Sequence, residues 1–248
     1  MMIMKLALLF VSVCAVQTTW AQQQGGDDKL SQVEIASKKN PELRSYAQMQ
    51  KGLKAYQEKH GLAPDSELYF ILIPKSKHIQ VQNVTMRLAS DEQSVPIPID
   101  AEGKFQLPYI ELKTEDEYDL ILNQPKGQFH IKPYVKSANL PDHTKRFGDL
   151  RMECEVRWAI EKQDVSFVFS TYVKLLASGN PCTARTVAVW FFAPNGVDTI
   201  SMETARPALS LHVGADRGYT LPLWNKELSD DSFVRYLSSA TSTIQTEN

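Results

Sequence analysis

Residues 84–108 read VTMRLASDEQSVPIPIDAEGKFQLP, and this stretch decides the fold. Its apolar side chains recur at every second position in two runs, which are Val84, Met86 and Leu88, then Val95, Ile97 and Ile99. A period of two places these side chains on one face of a strand, so the pattern predicts two half-buried strands. Pro96 and Pro98 cannot donate hydrogen bonds to a neighbouring strand, which indicates that the second run lies at a sheet edge.

Strand patterns continue on both sides of this stretch. Before it, residues 68–73 form a short apolar and aromatic run ended by Pro74, which is typical of a strand buried on both faces. After it, a turn over residues 100–103 leads into further strand-like runs at 105–107, 118–122 and 129–131. Short strands separated by turn residues predict an antiparallel β-sandwich.

Part of this region resembles the prealbumin-type β-sandwiches known as carboxypeptidase-regulatory-like or Cna-B-like domains. The resemblance lies in an acidic-x-x-Gly-x-Phe hairpin, formed here by Asp100, Gly103 and Phe105, and in a strand containing Tyr118 that follows it. It covers residues 66–135, and the proline pair of the preceding strand departs from it. Domains of this kind scaffold, space or bind, so the resemblance implies an architecture and not an activity.

The second half of the chain predicts another β-rich module, over residues 150–238. Residues 137–149 are rich in turn formers and predict a connection between the two modules. Strict alternation over residues 150–158 predicts a strand. Further strands are predicted over 186–192, 199–203, 208–213, 219–222 and 233–237, and residues 239–248 form a polar tail.

Residues 164–178 leave two structures open. Paired apolar residues there favour a helix that Asp164 caps and Gly179 ends, whereas alternation at Val165, Phe167 and Phe169 favours a strand. We prefer the helix.

An amphipathic helix is predicted over residues 40–61, ahead of the first module. Asn40 would cap it, Pro41 would occupy its first turn, and Gly61 would end it. Apolar side chains recur at spacings of three and four, which places them on one helical face. The expected fold is therefore mainly β, with one or two antiparallel β-sandwich modules preceded by this helix.

The first residues predict export. Residues 1–21 carry one early charge, an apolar run and small residues at the end, which is typical of a signal peptide cleaved after Ala21. The apolar run is too short for a membrane anchor, which needs about 20 residues. Lipid attachment at Cys14 is disfavoured, since the bulky Val13 precedes it. Residues 22–39 are polar and predict a flexible leader in a periplasmic or secreted protein.

The cysteines predict one disulfide. Of the three cysteines in the chain, Cys14 would leave with the signal peptide, so Cys154 and Cys182 form a single pair. An even count in an exported chain favours a bridge. A zinc site would need more ligands of this kind, and a catalytic thiol would not explain why two cysteines remain.

Charge and motifs exclude several classes of function. The chain has 27 basic and 29 acidic residues, a net charge of −2, which predicts binding neither to nucleic acid nor to anionic membranes. No phosphate-binding loop, zinc-protease motif, nucleophile elbow or EF-hand occurs, so we expect no cofactor, metal or catalytic residues. The acidic run at 115–117 lacks the spacing and glycine of a calcium loop and predicts a solvated hairpin tip.

Two residues are candidate surface contacts. His143 follows Asp142 in the predicted connection, where loops can carry sites, although a solvated linker is the preferred interpretation of the pair. Trp224 lies near a strand end beside Pro222 and is the preferred surface aromatic, whereas Trp158 and Trp190 lie in strongly patterned strands and are expected in the core.

Two functions remain open. The first is a non-enzymatic binding or interaction module of the cell envelope, whose partner is another envelope protein or a glycan. The second is a periplasmic hydrolase whose site is assembled from separate loops. A binding module predicts an exposed apolar or aromatic patch, and a hydrolase predicts a concavity where a histidine meets a carboxylate and a nucleophile.

Overall fold

Antiparallel strands dominate the chain, in agreement with the mainly β fold expected from the sequence. The structure is a computed structural model and describes residues 40–111, 117–202 and 208–238. The predicted signal peptide, leader and polar tail lie outside these residues. The described strands are β1 (Pro41–Ser45), β2 (Ser66–Pro74), β3 (Met86–Ala89), β4 (Ser94–Ile97), β5 (Lys104–Phe105), β6 (Asp119–Pro125), β7 (Phe129–Ser137), β8 (Thr144–Arg146), β9 (Trp190–Phe192), β10 (Thr199–Met202), β11 (Leu209–His212), β12 (Gly218–Thr220) and β13 (Phe233–Leu237).

These strands form four sheets, in the orders β1-β6-β3-β4, β5-β2-β7, β11-β10-β13-β8 and β12-β9. The antiparallel pair of β2 and β7 is fully in register from Ser66 opposite Ser137 to Pro74 opposite Phe129. Strand β4, which carries Pro96, lies at a sheet edge as its proline predicts. A stacked sandwich arrangement of the sheets stays a prediction, as does the resemblance to prealbumin-type domains.

Three helices accompany the sheets: α1 (Tyr46–Glu58), α2 (Phe147–Glu161) and α3 (Phe167–Leu176). Two 3-10 turns follow α1 and α3, at His60–Leu62 and Pro181–Thr183. No helix among the residues that the structure describes is both long and apolar enough to cross a membrane.

The predicted helix over residues 40–61 is shorter than expected, because its first five residues form strand β1. Asn40 has a positive φ of 65° and does not cap a helix. Strand β1 pairs with β6, and the buried carboxylate of Glu42 accepts a hydrogen bond of 2.6 Å from the backbone N–H of Gly127. The strand partner thus overrides the helical pattern at Pro41–Ser45, and helix α1 begins at Tyr46.

The strand predicted over residues 150–158 is wrong, since these residues belong to helix α2. The helix lies between two hydrophobic clusters: Met152 and Val156 pack in the first, and Leu150 and Cys154 pack in the second. Residues two apart on a helix point in nearly opposite directions, at about 200°. A helix buried on two opposite faces therefore shows the same alternation as a strand.

The first cluster is built around β2, β3, β6 and β7, and the second around β9 to β13. Because α2 contributes to both, the residues predicted to connect two modules lead directly into a shared element. Residues 144–149 are strand β8 and the start of α2, not a linker. The first turn of α2 packs closely against the residues after α1, since a Cβ at Gly148 would meet the backbone oxygen of Leu62.

Helix α3 confirms the preferred structure for residues 164–178, with a different cap. Ser166 accepts a hydrogen bond of 3.2 Å from the backbone N–H of Phe169, so this serine, and not Asp164, caps the helix. The chain leaves the helix through Gly179, whose φ is +80°.

The predicted disulfide is confirmed. Cys154 on α2 is bonded to Cys182 in the 3-10 turn after α3, and both residues are buried. The bridge ties the α3 segment to the helix shared by the two clusters.

Candidate ligand-binding cleft

One cleft in the described part of the chain has the size of a small-molecule site. Its volume is about 630 Å³, within the usual range for ligand pockets. It is bounded by β2 and the loop at residues 79–82 on one side, by β9 on the other, and by β7, β8 and α2. Residues far apart in the sequence therefore meet in one concavity.

The two opposing walls of the cleft are apolar. Strand β2 turns Phe70 and Leu72 into the first hydrophobic cluster, so its alternate residues Ile71 and Ile73 line the cleft together with Ile79 and Val81. The sequence predicted that this strand is apolar on both faces, and the second face is this half-buried wall.

Strand β9 supplies the opposite wall with Trp190, Phe191 and Phe192. The main chain of this strand is held by Arg157 on α2, which donates a hydrogen bond of 2.9 Å to the backbone oxygen of Trp190. Gly218 on the paired strand β12 leaves room for the indole, because a side-chain Cβ there would meet its ring carbons at 3.0 Å. The Trp190 side chain nevertheless remains 54% exposed and faces solvent at the cleft.

The floor of the cleft contains a buried ion pair between Lys145 on β8 and Glu153 on α2. Each side chain is only 8% exposed. Glu153 also accepts a hydrogen bond of 2.8 Å from the backbone N–H of Val135, on the outer edge of β7. Burial raises the pKa of Glu153, while Lys145 and the hydrogen bonds oppose that shift.

A second carboxylate of α2 binds the same strand edge. Asp149, one helical turn before Glu153, accepts hydrogen bonds from the Ser137 hydroxyl at 2.6 Å and from the Ser137 backbone N–H at 3.2 Å. It also accepts from the backbone N–H of Arg146, at the start of the helix, at 3.0 Å. The buried acids of α2 therefore have a structural task, which is to satisfy backbone donors of β7 that have no strand partner among the described residues.

Tyr134 on β7 lies between two lysines. The ammonium nitrogens of Lys145 and Lys104 lie 3.8 Å and 4.9 Å from the centre of its ring. Burial raises the pKa of the Tyr134 hydroxyl, and Lys104 partly opposes the shift. Both cations are thus within cation–π distance of the same aromatic ring.

Two further tyrosines complete the floor. The hydroxyls of Tyr219 and Tyr236 lie 2.7 Å apart in a hydrogen bond, and both residues are buried. Burial raises the pKa of each hydroxyl well above its ordinary value, so both stay protonated at physiological pH.

Cationic side chains outnumber carboxylates around the cleft. Six line it, namely Lys104, Lys132, Lys136, Lys145, Arg157 and Arg217, against the two carboxylates of Glu102 and Glu153. Lys132 and Arg157 both pair with Glu161, at 2.7 Å and 2.9 Å. Burial lowers the pKa of Lys132 and the charge of Arg157 adds to the effect, although Glu161 opposes it.

His143, which the sequence made a candidate surface contact, lines the cleft. It is exposed at the rim of the cleft, on a backbone with a φ of +54°, and its carbonyl accepts a hydrogen bond of 2.8 Å from the backbone N–H of Tyr236. Within the described residues no hydrogen bond joins its imidazole to a carboxylate. The neighbouring Asp142 is exposed and does not line the cleft.

The tryptophans differ from expectation in one case. Trp190 is not a core residue but an exposed wall of the cleft. Its strand β9 is short and, among the described strands, pairs only with β12, and the indole is 54% exposed. Trp224 is half-buried outside the cleft, with the Arg185 guanidinium 5.2 Å from its ring centre. Trp158 is half-buried and donates a hydrogen bond of 3.2 Å to the Gly179 carbonyl.

The sequence held a signal for the cleft in strand β7. Its residues 129–137 read FHIKPYVKS, in which Lys132, Tyr134 and Lys136 share one face. A strand with a cationic and aromatic face opposite an apolar one is a recognisable feature. The partners of this face, Lys104 on β5 and Trp190 on β9, come from other strands and could not be assigned to it without the fold.

Metal binding finds no support in the ranges 40–111, 117–202 and 208–238, which contain no group of three or more histidine, cysteine, aspartate or glutamate side chains able to hold an ion. The acidic run predicted to form a hairpin tip lies largely outside these ranges. No protein-family model, curated protein or solved structure matches this chain.

Proposed function

We propose that the protein is an exported binding protein of the cell envelope, which holds a small ligand in the cleft between β2 and β9 by non-covalent contacts. The observation that supports this most strongly is the form of the cleft, a volume of about 630 Å³ between two apolar walls. Concave, largely apolar sites with a few polar groups are the usual form of small-molecule sites.

The polar groups of the floor favour binding over catalysis. Glu153 is committed to Lys145 and to a backbone donor of β7, and the tyrosine hydroxyls are bonded to each other. These groups shape and stiffen the site, since moving any of them would leave a buried polar atom without a partner. Export, through the signal peptide predicted at residues 1–21, would place the site in the periplasm or outside the cell, where the Cys154–Cys182 bridge is stable.

The test is native mass spectrometry of the mature protein after incubation with the small-molecule fraction of an envelope extract. We expect one retained mass in the wild type, and a much weaker signal from Trp190→Ala, which removes part of a wall. Tyr109→Ala is the matched control, because Tyr109 is also an exposed aromatic, at 69%, but does not line the cleft. Equal retention by both variants would remove the cleft from the proposal, and conversion of the retained compound into a product would replace binding with catalysis.

A further inference from the structure

The residues that line the cleft also indicate the charge of its ligand, provided that the cleft binds a ligand as proposed above. We infer that the ligand is an amphipathic anion, whose carboxylate, phosphate or sulfate head lies near Lys104 and Lys136 and whose apolar body lies between the walls of β2 and β9.

The rim carries positive charge that the protein does not neutralise. Lys145 is paired with Glu153, and Lys132 and Arg157 share Glu161. By contrast, Lys104 and Lys136 form no ion pair with any residue in the described ranges, although both line the cleft. Within the same ranges, the Arg217 guanidinium donates only to the neutral side-chain amide of Asn195.

This excess is local. The whole chain carries a net charge of −2, whereas six cations line the cleft against the carboxylates of Glu102 and Glu153 and that of Glu161, which pairs with two of them. Like charges gathered in one concavity repel each other, and low-dielectric walls concentrate their field on whatever enters. An anion entering the cleft relieves that repulsion, and a cation increases it.

The walls specify the rest of the ligand. Ile71, Ile73 and Val81 line one side of the cleft and the aromatic residues of β9 line another. The polar side-chain groups among them are the amides of Gln80 and Gln82 and the indole N–H of Trp190. A bare inorganic anion would contact the rim and leave these walls in water. A molecule with an apolar body buries them, which contributes about 25 cal/mol for each Å² removed from water.

The experiment compares four probes that share one apolar chain and differ in the head group: decanoate, decyl phosphate, decyltrimethylammonium and decyl maltoside. Binding to the mature protein is measured by titration calorimetry below the micelle-forming concentration of each probe. Quenching of tryptophan fluorescence that is lost in Trp190→Ala is the second readout. We expect the two anions to bind more tightly than the neutral probe, and the cation to bind most weakly. A carboxylate and a phosphate that differ in affinity would identify the preferred head group.

The double variant Lys104→Met/Lys136→Met locates the head group. Methionine keeps much of the side-chain length and removes the charge, so the Kd for the anions should rise about fivefold per lysine, the effect of an ordinary partly exposed ion pair. Binding of decyl maltoside should not change. Lys77→Met is the matched control, since Lys77 is exposed and lies outside the cleft.

The outcomes separate the two proposals. Equal affinity for all four probes, or tighter binding of the cation, would overturn the inference about charge while supporting a binding cleft. Unchanged anion binding in the double variant would also overturn it. Failure of every probe to bind, together with no retained mass from the envelope extract, would overturn the proposed function itself.

Discussion

Removing Lys145 should leave a buried carboxylate without its cation, and the cost should depend on pH. In the variant Lys145→Met, Glu153 keeps only the hydrogen bond from the Val135 backbone N–H. Loss of one partner of a buried pair typically costs about 3–5 kcal/mol, because the remaining charge is uncompensated. Both side chains are 8% exposed, so solvent can relieve little of this cost.

Protonation of Glu153 sets a limit to that cost. The ordinary pKa of this carboxyl is 4.5, so holding it protonated at pH 7 costs about 3.4 kcal/mol, at ~1.4 kcal/mol for each pH unit. At pH 5 the same step costs only about 0.7 kcal/mol. The folded variant binds this proton more tightly than its unfolded chain does, so its free energy of unfolding should fall as the pH rises from 5 to 7.

Urea unfolding of the wild type and Lys145→Met at these two pH values measures the effect. We expect the variant to lose about 3 kcal/mol at pH 7 and about 1 kcal/mol at pH 5. Lys104→Met is the control, because Lys104 also lies against Tyr134 but has no carboxylate partner, and it should cost less than about 1 kcal/mol. The double variant Lys145→Met/Glu153→Gln should recover most of the loss. A loss that is the same at both pH values, or no larger than that of the control, would refute this reasoning.

Three further predictions concern stability. Reducing the Cys154–Cys182 bridge should lower the free energy of unfolding by about 3–4 kcal/mol, with two thiols detected by a thiol reagent, since the bridge spans 28 residues; an unchanged midpoint would contradict this. Gly148→Ala should lower the free energy of unfolding in a urea titration by about 1–3 kcal/mol, because its Cβ would collide with the backbone oxygen of Leu62. A neutral effect would show that the backbone there can move apart to accommodate the methyl group. Tyr219→Phe and Tyr236→Phe should each lower the free energy of unfolding by about 1–3 kcal/mol, since each leaves a buried hydroxyl unpaired. The double variant should lose less than the sum of the two single losses. Strict additivity in thermal melts would argue against the hydrogen bond between the two hydroxyls.

Local patterns in the sequence were sufficient to predict several elements of the fold. Strands β2 and β4, the turn at residues 100–103, and the disulfide follow from local patterns, because each depends on neighbours or on a single pairing. Helix α2 was mistaken for a strand because two clusters bury opposite faces of it, which removes the polar stripe that marks an ordinary surface helix. Strand β1 was mistaken for helix because its partner, β6, lies about 80 residues further along the chain.

The cleft was harder to predict for a related reason. Its cationic face is visible in strand β7, and His143, a candidate surface contact from the sequence, lines the cleft. However, its walls come from β2 and β9, and no local pattern states that these strands oppose each other across a gap. Trp190 illustrates the difficulty, since an aromatic residue in an apolar strand is usually buried, and only the tertiary arrangement leaves it open to solvent.

The carboxylates that α2 presents to the outer edge of β7 have a consequence for self-association of the protein. An open strand edge is a template on which a second chain can add a strand, and it is a common route to aggregation. Here Asp149 and Glu153 occupy the donors that such a chain would need, and Pro133 supplies none. This edge of the β2–β7 pair should therefore be closed to a further strand.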